Sequence, residues 1–332
     1  MADTTTDTGT PTTPAAPSGT GLDLILKADL GNGTMPDEFA RTIIQQAPKS
    51  SALLQRARTV PMSKKTRKQP VLDMFPEAYW VEGETGLKQT TKAKWGDLKM
   101  TAEELAVIVP VPENLLADSE IRIFDEVAPR VAESMGKMID QAALFGVGKP
   151  DSWPDAIVPA AVAAGNTVKA GTGADLAVDV ASMGQKLSEQ GYVMEGFVSQ
   201  PGLDWQLRAL RSASGAPIYQ DSLAAAGPST LYGHPLNPVA NGAWDGSKAL
   251  LVGADWSNVL VGIRQDVTVK VLDQAVISDA DGKVLLNLAQ QDAVALRFVM
   301  RVGFCVANPL TRLQGAKDKR YPACVLAPAA AK

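Results

Sequence analysis

The chain has 332 residues, 45% of them apolar and 20% charged, enough to bury the cores of two or three domains. A formal net charge of −4 and an isoelectric point near 5.2 argue against a protein that wraps nucleic acid by overall attraction, because that mode needs many Lys and Arg side chains on phosphates. With one histidine, His234, and two cysteines, Cys305 and Cys324, outside any CxxC spacing, zinc and iron centres have no ligand set.

Residues 1–20 hold eight threonines and three prolines and almost no large apolar side chain, which reads as a disordered tail. They have neither the basic start nor the apolar core of a signal peptide, and no run of 18 apolar residues follows anywhere, so no membrane span is expected. Residues 21–60 read as an arm, with a short helix at PDEFARTIIQQA that Pro36 opens. Lys49, Arg56, Arg58, Lys64, Lys65, Arg67 and Lys68 then form a basic run without one acidic residue. Such a run serves either as a face paired with acidic neighbours, within or between subunits, or as a patch that meets nucleic acid.

A polar hairpin is predicted within 61–105, turning at EGETG, with Trp80, Glu82 and Glu84 on one side and Lys88, Lys92, Lys94 and Trp95 on the other. Two long polar strands bury no face alone, so this hairpin needs a partner surface. The β segment AVIVPVP follows, then one long amphipathic helix that starts at Asp118 or Ser119. Ile121, Phe124, Val127, Val131, Met135, Met138, Ala142 and Phe145 recur in it at three- and four-residue steps and predict its core face. Pro129 is expected to bend it and Gly146 to end it in a left-handed cap.

From Gly165 the pattern alternates: helix at ADLAVDVASMGQKLSEQ, strand at YVMEGFVSQ, helix at PGLDWQLRALRS. Strand-like runs follow at ALLVGAD, NVLVGI, VTVKVL and VLLNL, with a hairpin turn at DADG, and DAVALRFVMRVGFCVANP closes the fold. The class is α+β. Cys305 and Cys324 flank apolar residues and read as buried free thiols, and His234 sits in the turn-like LYGHPLNP.

No motif supplies catalysis. Gly146-Val147-Gly148-Lys149-Pro150 follows a helix where a phosphate loop would precede one. DADG lacks the distal glutamate of a calcium loop. Glu82 and Glu84 flank a turn glycine, where nothing desolvates a carboxylate to tune it as an acid or base. GxSxG, a GxGxxG after a strand and HExxH do not occur. No cofactor is expected.

Several phrases in order resemble the major capsid protein of tailed bacteriophages with the Hong Kong 97-type fold. They are the EG-containing loop Trp80 to Gly86; the ExLLxDS phrase at Glu113, Leu115, Leu116, Asp118 and Ser119; and the helix-closing phrase at Asp140, Ala142, Leu144, Phe145, Gly146 and Gly148. LYGHPL, LLVGADWSNVLVGIRQDVTVKV and the closing strand continue the likeness. The resemblance implies an N-terminal arm (21–60), an extended loop (61–105) and a peripheral domain with its spine helix (106–165). An axial domain (166–270) and a return to the peripheral domain (271–328) complete the expectation. It implies assembly of copies into pentamers and hexamers of an icosahedral shell in the host bacterial cytoplasm, around double-stranded DNA held by weak, non-specific contact. A separate scaffolding protein, a portal and a decoration protein are the further partners it implies. Some members link a loop lysine to a neighbour's asparagine; Lys88, Lys92 and Lys94 invite that comparison, but no acceptor asparagine can be matched. An encapsulin, a bacterial cargo shell of the same fold, is the first alternative. An enzyme holding a nucleotide on the 165–212 block is the second, and it lacks the glycine-rich loop it would need.

Overall fold

The computed structural model describes residues 51–80, 90–114, 123–209, 229–279 and 281–329, and for 123–126 the backbone alone. The expected tail, the arm as far as residue 50, the hairpin tip with Glu82, Glu84 and Lys88, and the helix start at Asp118 or Ser119 lie outside the described residues.

Ser51 caps a short helix, α1 (Ala52–Arg56), its hydroxyl accepting from the Leu54 amide. The chain then forms β1 (Arg58–Pro61), β2 (Thr66–Met74) and, beyond the hairpin tip, β3 (Lys94–Pro112). β2 and β3 pair antiparallel from Thr66 opposite Thr101 to Met74 opposite Lys94. The return half of the hairpin and AVIVPVP, expected as separate pieces, are one strand of 19 residues. β2 reads TRKQPVLDM and no apolar period marks it as a strand; β3 supplies the pairing that makes it one.

The long helix α2 (Ile123–Asp140) runs through Pro129 and passes into one π-helical turn, Gln141–Phe145. It stops at Gly146 with φ 77° and ψ 12°, the left-handed cap expected there. After it come α3 (Ile157–Ala163), β4 (Thr167–Lys169), α4 (Leu176–Glu189), β5 (Gly196–Ser199) and α5 (Leu203–Arg208). Then follow β6 (Thr230–Leu231), β7 (His234–Pro238), β8 (Leu251–Ala254), β9 (Val259–Leu272), β10 (Val276–Ser278), β11 (Val284–Asn287), β12 (Ala293–Val306) and β13 (Ala323–Ala327). NVLVGI and VTVKVL, read as two strands, are both β9.

The chain divides into two compact units. Among the described residues the smaller takes in 108–114, 123, 271–279 and 281–296. Its β10–β11 hairpin turns at the expected DADG, where Asp279 Oδ1 accepts from the amides of Asp281 and Lys283 at 3.1 and 2.8 Å. Leu286, Leu288, Ala293 and Ala295 form its core.

The larger unit holds two sheets. One has the order β1-β9-β12-β3-β2, with β1 parallel to β9, around Val60, Met62, Met100, Leu260 and Cys305. The other has the order β4-β13-β8-β5-β7-β6 and is covered by α4 and α5 through Val180, Met183, Leu187, Leu203 and Leu207. β13, expected to return to the peripheral domain, instead lies in this second sheet between β4 and β8. Its residues ACVLA are apolar on both faces, the pattern of a strand at a sheet's centre.

Candidate assembly surface

The hairpin presents exposed aromatic and apolar side chains. Trp80 is 98% exposed and Trp95 64% exposed, and Met74 and Tyr79 are exposed beside them. Lys92 is exposed, and Lys94 approaches Asp73 at 3.9 Å across the hairpin.

Much of the basic run finds partners within the chain. Lys65 pairs with Glu103 at 3.3 Å and Lys68 with Asp97 at 3.0 Å, both on β3. Arg67 donates to the Pro61 carbonyl at 2.7 Å. Arg56 is half-buried and donates to Asn237 Oδ1 at 2.5 Å; burial pulls its pKa below the usual value. Arg58 and Lys64 are exposed. Three of these side chains thus brace the base of the hairpin and one ties α1 to β7.

On α2 the buried face differs from the predicted stripe. Val131, Met135 and Phe145 are buried, Val127 is half-buried, and the Phe124 side chain lies outside the described residues. Met138 is 38% exposed and is a correction to the core face. The face is centred on Ala128, Ala132, Met135 and Ile139, all at most 3% exposed, and at 100° per residue Met138 falls about 90° from that centre. The bulky residues drew the stripe to one side of the alanines that let α2 pack closely. Met138 instead lines a small cavity of about 120 Å³ with Glu104, Leu105 and Trp153.

At the end of α2 sits a group that sequence reading placed only as a letter in a phrase. Asp140 is fully buried, and its carboxylate accepts from Ser51 Oγ at 2.6 Å, from the amides of Ala52 and Leu53 at 3.1 Å, and from Asn241 Nδ2 at 2.7 Å. One side chain therefore holds the start of α1, the end of α2 and the loop before β8. Burial raises its pKa above the ordinary carboxylate value, against the opposing pull of these hydrogen bonds. Next to it Phe145 packs edge-on against Trp244, centroids 5.2 Å apart. An aspartate inside an apolar helix end was the available signal.

Burial pushes the Cys305 thiol up to about 12 and Cys324 up to about 11, and neither is exposed. Among the described residues no group of His, Cys, Asp or Glu could hold a metal ion.

A family model described as the phage capsid family matches residues 31–311. The chain belongs to the phage capsid family. Over 289 residues, 86% of each chain, it is 26% identical to the major capsid protein of Staphylococcus phage 80alpha. Among solved structures it is similar to a chain of Microbacterium phage Oxtober96, at 40% identity and a TM-score of 0.74 over 84% of this chain and 91% of that one. A chain of Mycobacterium phage Cain matches at 34% identity and a TM-score of 0.75 over 85% and 92%. The α+β fold is therefore of the Hong Kong 97 type, and the protein is a structural subunit of a tailed-phage capsid shell, part of the virion.

Proposed function

We propose that copies of this chain assemble as pentamers and hexamers into an icosahedral shell around double-stranded DNA, with each extended hairpin lying over a neighbouring subunit. The observation that carries this reading is the exposure of Trp80 and Trp95 on the hairpin arms that β2 and β3 begin. An indole that buries ~200 Å² contributes about 5 kcal/mol at ~25 cal/mol per Å², and the gain repeats at every subunit contact. The exposed Arg58 and Lys64 supply intersubunit or weak phosphate contact, in a chain whose net negative charge keeps DNA free to move. Scaffolding, portal and decoration proteins are the other partners in this reading, and assembly takes place in the host bacterial cytoplasm.

Negative-stain imaging and sedimentation of the double variant Trp80→Ser, Trp95→Ser test it. The expected result is a subunit whose melting temperature is unchanged within about 2 °C, because neither ring touches a core, together with loss of shells. Shells of normal number and denaturant resistance would overturn the role of the hairpin.

A further inference from the structure

The dipeptide Asn241-Gly242 lies in the loop between β7 and β8, against the buried end of α2. An asparagine before a glycine can bring its carboxamide onto the next backbone nitrogen, because glycine puts no side chain in the way. The pair occurs twice in the chain, and the other, Asn32-Gly33, lies outside the described residues.

Three features of the fold act on the Asn241 carboxamide. Its Oδ1 accepts from the Ala243 amide at 3.0 Å. This Asx turn folds the side chain over the intervening peptide, whose nitrogen belongs to Gly242. It also sets a donor on the oxygen that gains negative charge when the carbonyl carbon is attacked. At the other end of the group, Nδ2 donates to Asp140 Oδ2 at 2.7 Å, so a carboxyl group stands at the nitrogen that would leave. Asp140 is fully buried, and burial lets it hold a proton to higher pH than an exposed carboxyl group does. The nucleophile is unencumbered: the Gly242 amide makes no hydrogen bond among the described residues, and Gly242 is exposed with φ 72°.

We propose that Asn241 is a self-modifying residue, whose carboxamide cyclises onto the Gly242 amide in the folded subunit and then hydrolyses to an aspartate or isoaspartate. The Gly242 nitrogen bonds to Asn241 Cγ and gives up its proton to solvent. The Cγ–Nδ2 bond breaks as Asp140 passes a proton to Nδ2, and ammonia leaves; solvent returns a proton to Asp140. Water then adds to one or other carbonyl of the succinimide and opens the ring. Water is the one co-reactant.

The product alters the junction at the end of α2. With Nδ2 gone, Asp140 loses a donor and gains a carboxylate neighbour, and two carboxylates sharing a buried site repel. Lys137, three residues back on α2, is half-buried and has no ion pair among the described residues. Its Nζ lies 3.9 Å from the point where a Cβ would stand on Gly242, which makes it the cation that takes the new carboxylate. The loop before β8 thus moves its tie from Asp140 to Lys137, while Ser51 and the amides of Ala52 and Leu53 keep their hold on Asp140. The change runs one way and marks time from folding. It goes beyond the assembly reading and does not depend on it.

The full-length protein is held at neutral pH with and without guanidinium chloride, digested in mild acid, and its peptides are separated and weighed. Asn241 is expected to convert at least about tenfold faster in the folded chain than in the unfolded one. Conversion of Asn32 in the unfolded sample shows that the chemistry is running. Equal or slower conversion of Asn241 on folding would overturn the proposal. Asp140→Asn keeps a polar group at the site without an acid, and is expected to bring the folded rate down to the unfolded one. A folded Asp140→Asn that converts Asn241 as fast as the wild type would also overturn it. Should that variant not fold, the wild-type comparison decides alone.

Discussion

Asp140 joins three stretches of chain far apart in sequence through one carboxylate, so its replacement tests how the start of α1 is held. In Asp140→Asn the amide turns a donor toward the Ala52 and Leu53 amides and leaves at least one of them unsatisfied, at about 2 kcal/mol, read as a lower midpoint in urea. The variant also alters the pH profile. An acid whose pKa is raised by folding takes up a proton as the native state forms, so its contribution is present at low pH and is lost as pH rises through the folded pKa. Between neutrality and the ordinary carboxylate range the wild type therefore gains stability from this group as pH falls, and Asp140→Asn flattens that part of the curve. Five and two residues before it on the same helix the contrast is one of packing. Met135→Ala removes a side chain that is 1% exposed and is expected to lower stability by about 3 kcal/mol, whereas Met138→Ala, at 38% exposure, changes it by less than about 1. Chemical denaturation of the pair measures both; equal losses would restore Met138 to the core. The valines and methionines of α2 were legible as a stripe, but its true centre was not, because Ala128 and Ala132 carry little hydrophobic signal and matter through the close approach they allow.

Among the elements, β3 and β12 meet at Gly303. A Cβ at that position would lie 3.0 Å from the Thr101 carbonyl oxygen and 3.1 Å from Met100 Cγ, and the first of these is backbone that cannot swing aside. Gly303→Ala is expected to cost about 2 kcal/mol by overpacking, visible as a lower thermal midpoint with the secondary structure retained. Helices were the elements most readable in the sequence: α4 begins at Asp175, whose side chain accepts from the Val178 amide, and the left-handed Gly146 ends the long helix. β2 was the least readable, since a polar strand with an internal proline has no period to betray it and is defined by its partner.

At the level of the whole chain, the placement of β13 governs folding. It pairs parallel with β4 and antiparallel with β8, so residues 323–327 join β4 to the rest of a sheet whose other strands begin near residue 167. Truncation after Pro322 is expected to abolish the cooperative melting transition and leave the product insoluble, because it opens the sheet along two edges and bares Val325 and Leu326 partners. A soluble truncated subunit with a normal transition would show that the sheet stands without it. Composition, charge and periodicity by themselves determined the α+β class, the poverty of catalytic and metal-binding side chains, the long helix with its glycine stop and the need of the aromatic hairpin for a partner, because each of these is local in the chain. Tertiary structure alone decided that Met138 is part-exposed, that Asp140 fastens Ser51 and Asn241 and that β13 runs between β4 and β8. These depend on contacts between residues tens to hundreds of positions apart, and such pairings leave no periodic trace in the sequence.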